Sequence, residues 1–384
     1  MWVGLEKSGA VKTMKVGEIS LSCNLKAMRQ ARGITQSQLA ELVGVKRQAI
    51  YDIETGKYTP NTALALRLAK YLRCTVEDLF CEEVGAEAKV TLVDDVQSET
   101  VRVALARVRG KLLAYPLTGK RLLLEGFEPA DGIMTPSTGT ARLLRPSARL
   151  DQSLILFGCD PAFSILGTHT MRQAPNINVH CLFASSRNSL QKLAADHAHL
   201  AGTHMHNTAH GEGNLLLARE MLPDTGFMIM AFSHIEEGLM VAPGNPRGIR
   251  SLADLGGGGI RIINREPGAA LRSLLDEHLL RLGIPSTSVA GYEDQSTTHH
   301  ESALHVRYGQ ADVALGFRAF ADSYGLDFIA LETVRCDLVV PDDLIGLPEL
   351  DCLLNTLQTR KMREDLQSLP GYDARDTGKI IAQS

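Results

Sequence analysis

The chain has 384 residues, 44% of them hydrophobic and 22% charged, with a net charge of -4. That composition excludes a wholly disordered, collagen-like or membrane-embedded chain, and the length suits two or three domains better than one. The charge is uneven: residues 1–82 carry 12 Lys/Arg against 8 Asp/Glu and the rest carry 28 against 36, so a small polyanion-binding module is expected ahead of an acidic body.

Residues 1–19 have charges every few positions and no apolar run. They are not a secretory signal; they read as a frayed terminus, with Met14 as an alternative start. No uncharged apolar stretch approaches the length of a bilayer span. The seven cysteines (Cys23, Cys74, Cys81, Cys159, Cys181, Cys336 and Cys352) include no C-x-x-C pair, which argues against a disulfide framework or a zinc knuckle. Reduced thiols and no export signal point to a cytoplasmic protein without membrane association.

From residue 21 to 80, helix signals come in quick succession. Leu25, Met28 and Ala31 fit one helix stopped by Gly33. Thr35 is an N-cap with Gln38 three residues on, as a capping box requires. Leu39, Ala40 and Val43 line the buried face of that second helix, and Gly44 ends it. A third helix opens at Lys46, Arg47 and Gln48 and buries Ala49, Ile50 and Ile53; residues 62–72 and 76–80 supply a fourth and a fifth. Two short helices around a glycine turn are a helix-turn-helix signal. The run T-Q-S-Q-L-A-E-L-V-G-V-K-R-Q-A-I-Y-D-I-E-T-G-K-Y-T-P from Thr35 to Pro60 closely resembles the repressor-type (XRE) helix-turn-helix family of phage repressors and bacterial regulators. The resemblance implies a five-helix domain whose third helix enters the DNA major groove.

The residues suit that role. Lys46, Arg47 and Gln48 begin the third helix, with Tyr51 and Asp52 one turn on. Arg can fork to guanine and Gln to adenine. Gln36 matches the family position that grips a phosphate, and Lys57 in the following loop is a second phosphate contact. Asp52 either selects cytosine N4 or points away. One such domain covers little DNA, so a homodimer on a two-half-site operator is expected.

The expected domains are residues 20–82, the helix-turn-helix domain; 83–150, a connector; and 151–384, an α/β body. Residues 82–87 are small, acidic and hinge-like. Residues 89–93, 100–108 and 111–117 read as three or four antiparallel strands, and residues 129–139 (PADGIMTPSTG) as loop. This β-rich piece is either its own subdomain or an extension of the next domain's sheet.

Beyond residue 154, apolar strands alternate with amphipathic helices, the α/β pattern. Strands are expected at 154–158, 178–184, 199–202, 238–242, 259–264, 311–315, 328–331 and 337–340. The order G-L-M-V-A-P-G-N-P-R-G-I-R-S-L-A-D-L, I-R-I-I-N-R-E-P-G-A-A-L-R and Y-G-Q-A-D-V-A-L-G-F resembles the type 2 periplasmic-binding-protein fold. Together with F-G-C-D-P-A, L-A-G-T-H-M, G-E-G-N and the terminal L-P-G-Y-D, it is similar to the cytosolic branch related to molybdate-binding proteins. The resemblance covers residues 90–384 and implies two α/β lobes with a ligand in the cleft between them.

In such a cleft, strand-to-helix turns aim backbone N–H groups and helix N-termini at an anion. The candidate ligand-binding residues are Asp160 at the first turn, Ser185, Ser186 and Asn188 at the second, Asn264, Arg265, Glu266 and Gly268 in the second lobe, and Thr298 and His299 at a third edge. Gly268 would let the backbone approach the ligand. Hydroxyls and amides suit a tetrahedral oxyanion such as molybdate or tungstate. This chain departs from its relatives at Ala269-Ala270-Leu271, where they often carry Ser, Gly or Thr; Arg265 and Glu266 then also suit a larger anion or a pterin-like compound. Asp160-Pro161 and Ser185-Ser186 read equally as helix caps.

His197, His199, His204, His206 and His210 cluster in sequence, and alternating histidines can share one face of a strand. No cysteine pair flanks them and the segment crosses strand and loop, so neither metal nor cofactor is assigned. The glycines of 256–259 lack G-K-[ST] and read as a turn. The expected function is a ligand-responsive transcriptional regulator of double-stranded DNA, with a small-molecule or oxyanion effector in the cleft. The alternatives are an enzyme or an oxyanion carrier using the same cleft; no nucleophile elbow, zinc signature or dinucleotide loop supports an enzyme.

Overall fold

A computed structural model describes residues 12–16, 19–82, 86–119, 121, 127–207 and 211–383. The chain divides into two compact units: Met1–Val90, Val96–Val103 and Ala130–Leu150 form the first, and Thr91–Asp95, Ala104–Pro129 and Asp151–Ser384 the second.

In the first unit five helices stand where the sequence signals put them: α1 Leu25–Ala31, α2 Gln36–Val43, α3 Arg47–Glu54, α4 Thr62–Tyr71 and α5 Val76–Leu79. The capping box forms, with the Gln38 N–H donating to Thr35 Oγ1 at 3.2 Å and the Thr35 N–H to Gln38 Oε1 at 2.9 Å. Leu25, Leu39, Val43, Ile50, Ile53, Leu68 and Leu72 form the core. A polar group is buried with them. Arg29 Nε and Nη2 fork onto Glu54 at 2.6 and 3.1 Å, and Gln36 Nε2 donates to the same carboxylate at 2.8 Å.

The expected frayed terminus is corrected at residues 12–16: Lys12–Val16 is a strand paired antiparallel with Ile19–Cys23, which pairs in turn with Phe80–Glu82; residues 1–11 and 17–18 lie outside the described residues. Residues 83–85 of the expected hinge lie outside the described residues.

The connector is a six-stranded sheet, separate from that of the α/β body. The division between units passes through its strand Val101–Val108. In the first unit, residues 101–103 pair with Gly132–Thr135, which pairs with Thr140–Leu143, which pairs with Glu87–Lys89, all antiparallel. The expected loop at 129–139 is therefore a hairpin: its Gly and Pro residues mark the ends of a strand. In the second unit, Thr91–Leu92 runs parallel to Lys111–Pro116, so the sheet is not purely antiparallel.

The second unit is built on a ten-stranded sheet. Two strands dominate it, Phe227–Val241 and Asp327–Pro341, each 15 residues long and antiparallel to the other throughout. Sequence reading expects three separate short strands in place of this pair. On one side the order continues through Leu200–Thr203, Ser153–Gly158 and Asn178–Phe183, and on the other through Val313–Phe317, Ile262–Arg265 and Gln295–Ser296. These sides are the two lobes. Helices Phe163–Gln173, Ser186–Ala194, Ala270–Leu282 and His299–Arg307 follow strand ends, which turns their N-termini toward the cleft. Gly202 is required here: a Cβ on it would lie 2.2 Å from the Phe163 ring.

Replacing Glu54 with Ala strands the buried Arg29 guanidinium. The expected loss is about 3–5 kcal/mol of local stability, read as faster amide exchange across α1–α4 with exchange in the strand Phe227–Val241 unchanged.

Candidate functional site

On the helical domain, Lys46 is the N-cap of α3, and Lys46, Arg47, Gln48, Tyr51 and Lys57 are exposed. They share one surface: Lys57 Nζ lies 5.7 Å over the Tyr51 ring, and Gln48 Nε2 donates to Asp52 at 2.9 Å. Asp52 thus holds Gln48 one turn away instead of standing alone. Gln36, at the start of α2, is half-buried and held by Glu54.

In the α/β body, six of the expected ligand-binding residues gather at two adjoining cavities. The first is tight, about 10 Å³, room for roughly one water, and is lined by Cys159, Ser185, Ser186, His204, Arg265, Ala269, Ala270, Leu271 and His299. The second holds about 420 Å³ and is lined by Asp160, Thr298, His299 and His300 with Phe163, Met171, Val179 and Phe320. Cys159 and His299 face both.

The tight cavity is built for negative charge. It lies at the N-termini of Ser186–Ala194 and Ala270–Leu282, whose first N–H groups have no partner within the helix. Ser185 occupies the N-cap position of the first without capping it, and its buried Oγ makes no hydrogen bond among the described residues. Ser186 Oγ accepts the His204 N–H at 3.1 Å. Arg265 is buried, 3% exposed. Its Nη2 donates to Thr297 O at 3.3 Å and meets Glu266 at 3.4 Å, its Nη1 lies 3.2 Å from His299 Nδ1, and its Nε makes no hydrogen bond. The two histidines are neutral: burial first, then neighbouring charge, pushes His204 down to about 3 and His299 well below the usual imidazole range. His299 packs against Phe317 and Phe320, at 4.1 and 5.2 Å between ring centres. The guanidinium is therefore the positive charge of the pocket.

Other expected residues stand differently. Asn188 is exposed, because the third helical position turns outward from a buried N-terminus; Ser189 is buried instead. Asn264 lies beneath the site: its Nδ2 donates to Tyr292 O at 3.1 Å and its Oδ1 accepts the Arg265 N–H at 2.9 Å. Gly268 is exposed with φ of +88°, and a Cβ on it would have no protein atom within 4 Å; that backbone angle favours glycine. Thr298 caps its helix, accepting the Glu301 N–H at 3.0 Å.

Asp160 is not the N-cap of Phe163–Gln173, which is Ala162, but it holds the turn that leads into that helix. Its Oδ1 accepts the Ala162 N–H at 2.9 Å and the Tyr372 hydroxyl at 2.7 Å, joining F-G-C-D-P-A to the terminal L-P-G-Y-D. Burial outweighs these bonds and pushes its carboxyl from 3.8 up to about 6. Cys159 and His204 were passed over as site residues, although both sit in the quoted motifs, just beyond strand ends where α/β sheets bind ligands. Cys159 Sγ lies 2.9 Å from His204 Nδ1. The other histidines of the cluster diverge: His199 Nδ1 accepts the Ile155 N–H at 2.9 Å, and His210 lies outside the described residues.

Residues 167–358 match the profile of the PBP superfamily domain, and residues 25–79 that of a helix-turn-helix. YvgK, an uncharacterized protein of Bacillus subtilis, is 31% identical over 232 residues, covering 60% of this chain and 74% of that protein. An uncharacterized HTH-type transcriptional regulator of Methanothermobacter thermautotrophicus is 48% identical over 61 residues, 15% of this chain and 88% of that one. Among solved structures, a putative phosphate ABC transporter substrate-binding protein with bound phosphate from Clostridium perfringens aligns with a TM-score of 0.45 and 9% identity, over 57% of this chain and 99% of that one.

Since the folded protein holds the Asp160 proton more tightly than the unfolded chain, this group makes stability fall as pH rises from about 4 to about 6. An Asp160→Asn variant should lose that slope. Its stability relative to the parent should rise by up to about 3 kcal/mol between pH 4 and pH 7, measured by denaturant unfolding at both pH values.

Proposed function

This chain belongs to the PBP superfamily and carries a helix-turn-helix domain ahead of that fold, and on that premise we propose that it is a ligand-responsive transcriptional regulator whose effector is an oxyanion of the molybdate or tungstate kind. The observation that carries the effector is Arg265: a buried guanidinium, with an unsatisfied Nε, at a cavity edged by two helix N-termini and the unbonded Ser185 hydroxyl. Arg stays charged under all ordinary conditions, and a buried cation calls for an anion. Ala270 and Leu271 add no hydroxyl, but their backbone N–H groups serve a tetrahedral anion equally well.

On the DNA side, Arg47 and Gln48 read base edges, while Lys57, Lys46 and Gln36 hold phosphates and Tyr51 packs beside them. Exposure of the first turn of α3 supports this assignment. A homodimer presents two such helices to successive half-sites. Anion binding favours one arrangement of the lobes, and regulation follows from unequal affinity of the two arrangements for the effector. Among the described residues no helix is long and apolar enough to cross a membrane, and the proposed site of action is the cytoplasm.

Two measurements test the reading. Arg47→Ala should weaken binding to the selected operator by about 1–3 kcal/mol and relax specificity at one base pair, whereas Lys57→Ala should weaken all sequences alike and lower the salt slope by about 1; equal effects of both variants on random DNA would refute base reading. Molybdate or tungstate should raise the melting temperature of the parent and leave Arg265→Met unmoved. A shift that survives the substitution, or none in the parent, rules out the oxyanion pocket.

A further inference from the structure

We propose that His206, Glu237 and Glu332 form a site for a divalent transition-metal cation beside the paired middles of the two long strands. Glu237 and Glu332 are directly opposed across that antiparallel pair, and like charges in that relation repel. His206 reaches between them: its Nε2 lies 2.6 Å from Glu237 Oε2 and 3.3 Å from Glu332 Oε1. The three ligand atoms lie within 4.8 Å of one another. A tetrahedral ion with bonds of about 2.1 Å sets its ligands about 3.4 Å apart, so the His206–Glu332 edge already has nearly the required length, the His206–Glu237 edge must open by under an ångström, and the two carboxylate oxygens stand no more than 4.8 Å apart.

The second observation comes from the buried side. Glu237 is 0% exposed, yet its Oε1 makes no hydrogen bond; it faces His204 Nε2, also buried and without a hydrogen bond, at 3.4 Å. Glu332 Oε1 is likewise unbonded. A buried carboxylate oxygen left without a donor is costly. A singly charged imidazolium between two carboxylates balances only one of them, while a dication with neutral imidazole balances both. One imidazole and two carboxylates suit zinc, manganese or ferrous iron, with a further position for water. His204 also lines the Arg265 cavity, so the cation would sit behind a wall of the proposed effector pocket. The inference does not depend on what fills that pocket.

The test uses the full chain, stripped with chelator and titrated with Zn²⁺ and with Mn²⁺ by calorimetry. One ion per chain is expected, with micromolar or tighter affinity for at least one of the two. Glu332→Gln, at a partly exposed position, should fold normally and weaken that binding at least tenfold, and His206→Gln should do the same. No stoichiometric binding of either metal, or binding unchanged in both variants, overturns the proposal; the latter would place the metal on other histidines.

Discussion

The α/β body depends on one constraint: the antiparallel pairing of Phe227–Val241 with Asp327–Pro341 over their full length. The other strands of the ten-stranded sheet attach to this pair directly or through one or two intervening strands. Both lobes therefore share a backbone, and neither could separate without breaking a long ladder. The ladder is irregular at two places, Ala231/Ser233 and Glu237/Gly238. Bulges bend a strand and re-aim its side chains. The second lets Gly238 pass so close to the partner strand that a Cβ would sit 2.2 Å from Ile329 O, and it sets Glu237 on the buried side facing His204 and His206.

Burial of Arg265 follows from the same geometry. Its strand, Ile262–Arg265, is covered on both faces, so the residue at its end cannot reach bulk water. Desolvating a guanidinium costs several kcal/mol unless partners replace the water. Within the protein it meets Thr297 O, His299 and one oxygen of Glu266. Burial first, and the nearby guanidinium in addition, keep the surrounding imidazoles neutral. The same economy appears in the helical domain, where Arg29 is buried but fully forked onto Glu54. One arginine is satisfied by its partner; the other is left with an unpaired Nε beside a cavity, and the proposed anion site rests on that difference.

Much of this was legible in the sequence, for reasons that differ by region. The helical domain is local: Thr35, Gln38, Gly44 and the apolar faces encode it within a few residues of one another, and the structure matches them element by element. The strand ends carrying Ser185, Arg265 and His299 were legible because an apolar run followed by a polar turn marks where a strand delivers its last residue. The long strands were not. Their middles carry His234, Glu236, Glu237, Glu332, Thr333 and Arg335, which look like turns because charge normally means solvent. Here three of those charges are paired with partners elsewhere in the sequence, His234 with Asp376, Glu236 with Arg318 and Arg335 with Glu212, and of the six only Glu237 is fully buried. Asn188 failed for a rotational reason: sequence adjacency to Ser186 does not place a residue on the same face of a helix.

The two sides of the tight cavity come from different lobes. Ser185, Ser186 and His204 belong to the side of Ser153–Gly158, whereas Arg265, Ala270 and His299 belong to the side of Val313–Phe317. An anion held by both sets is a tie whose strength depends on how closely the lobes approach. Removing it leaves Arg265 facing the helix N-terminus at Ser186, two positive ends with nothing between them. On the proposed reading, the closed arrangement is then disfavoured by the same charges that would hold the anion. His204 connects the two regions: its N–H is fixed by Ser186, its Nδ1 lies against Cys159, and its Nε2 looks onto Glu237 on the long strands that join the lobes.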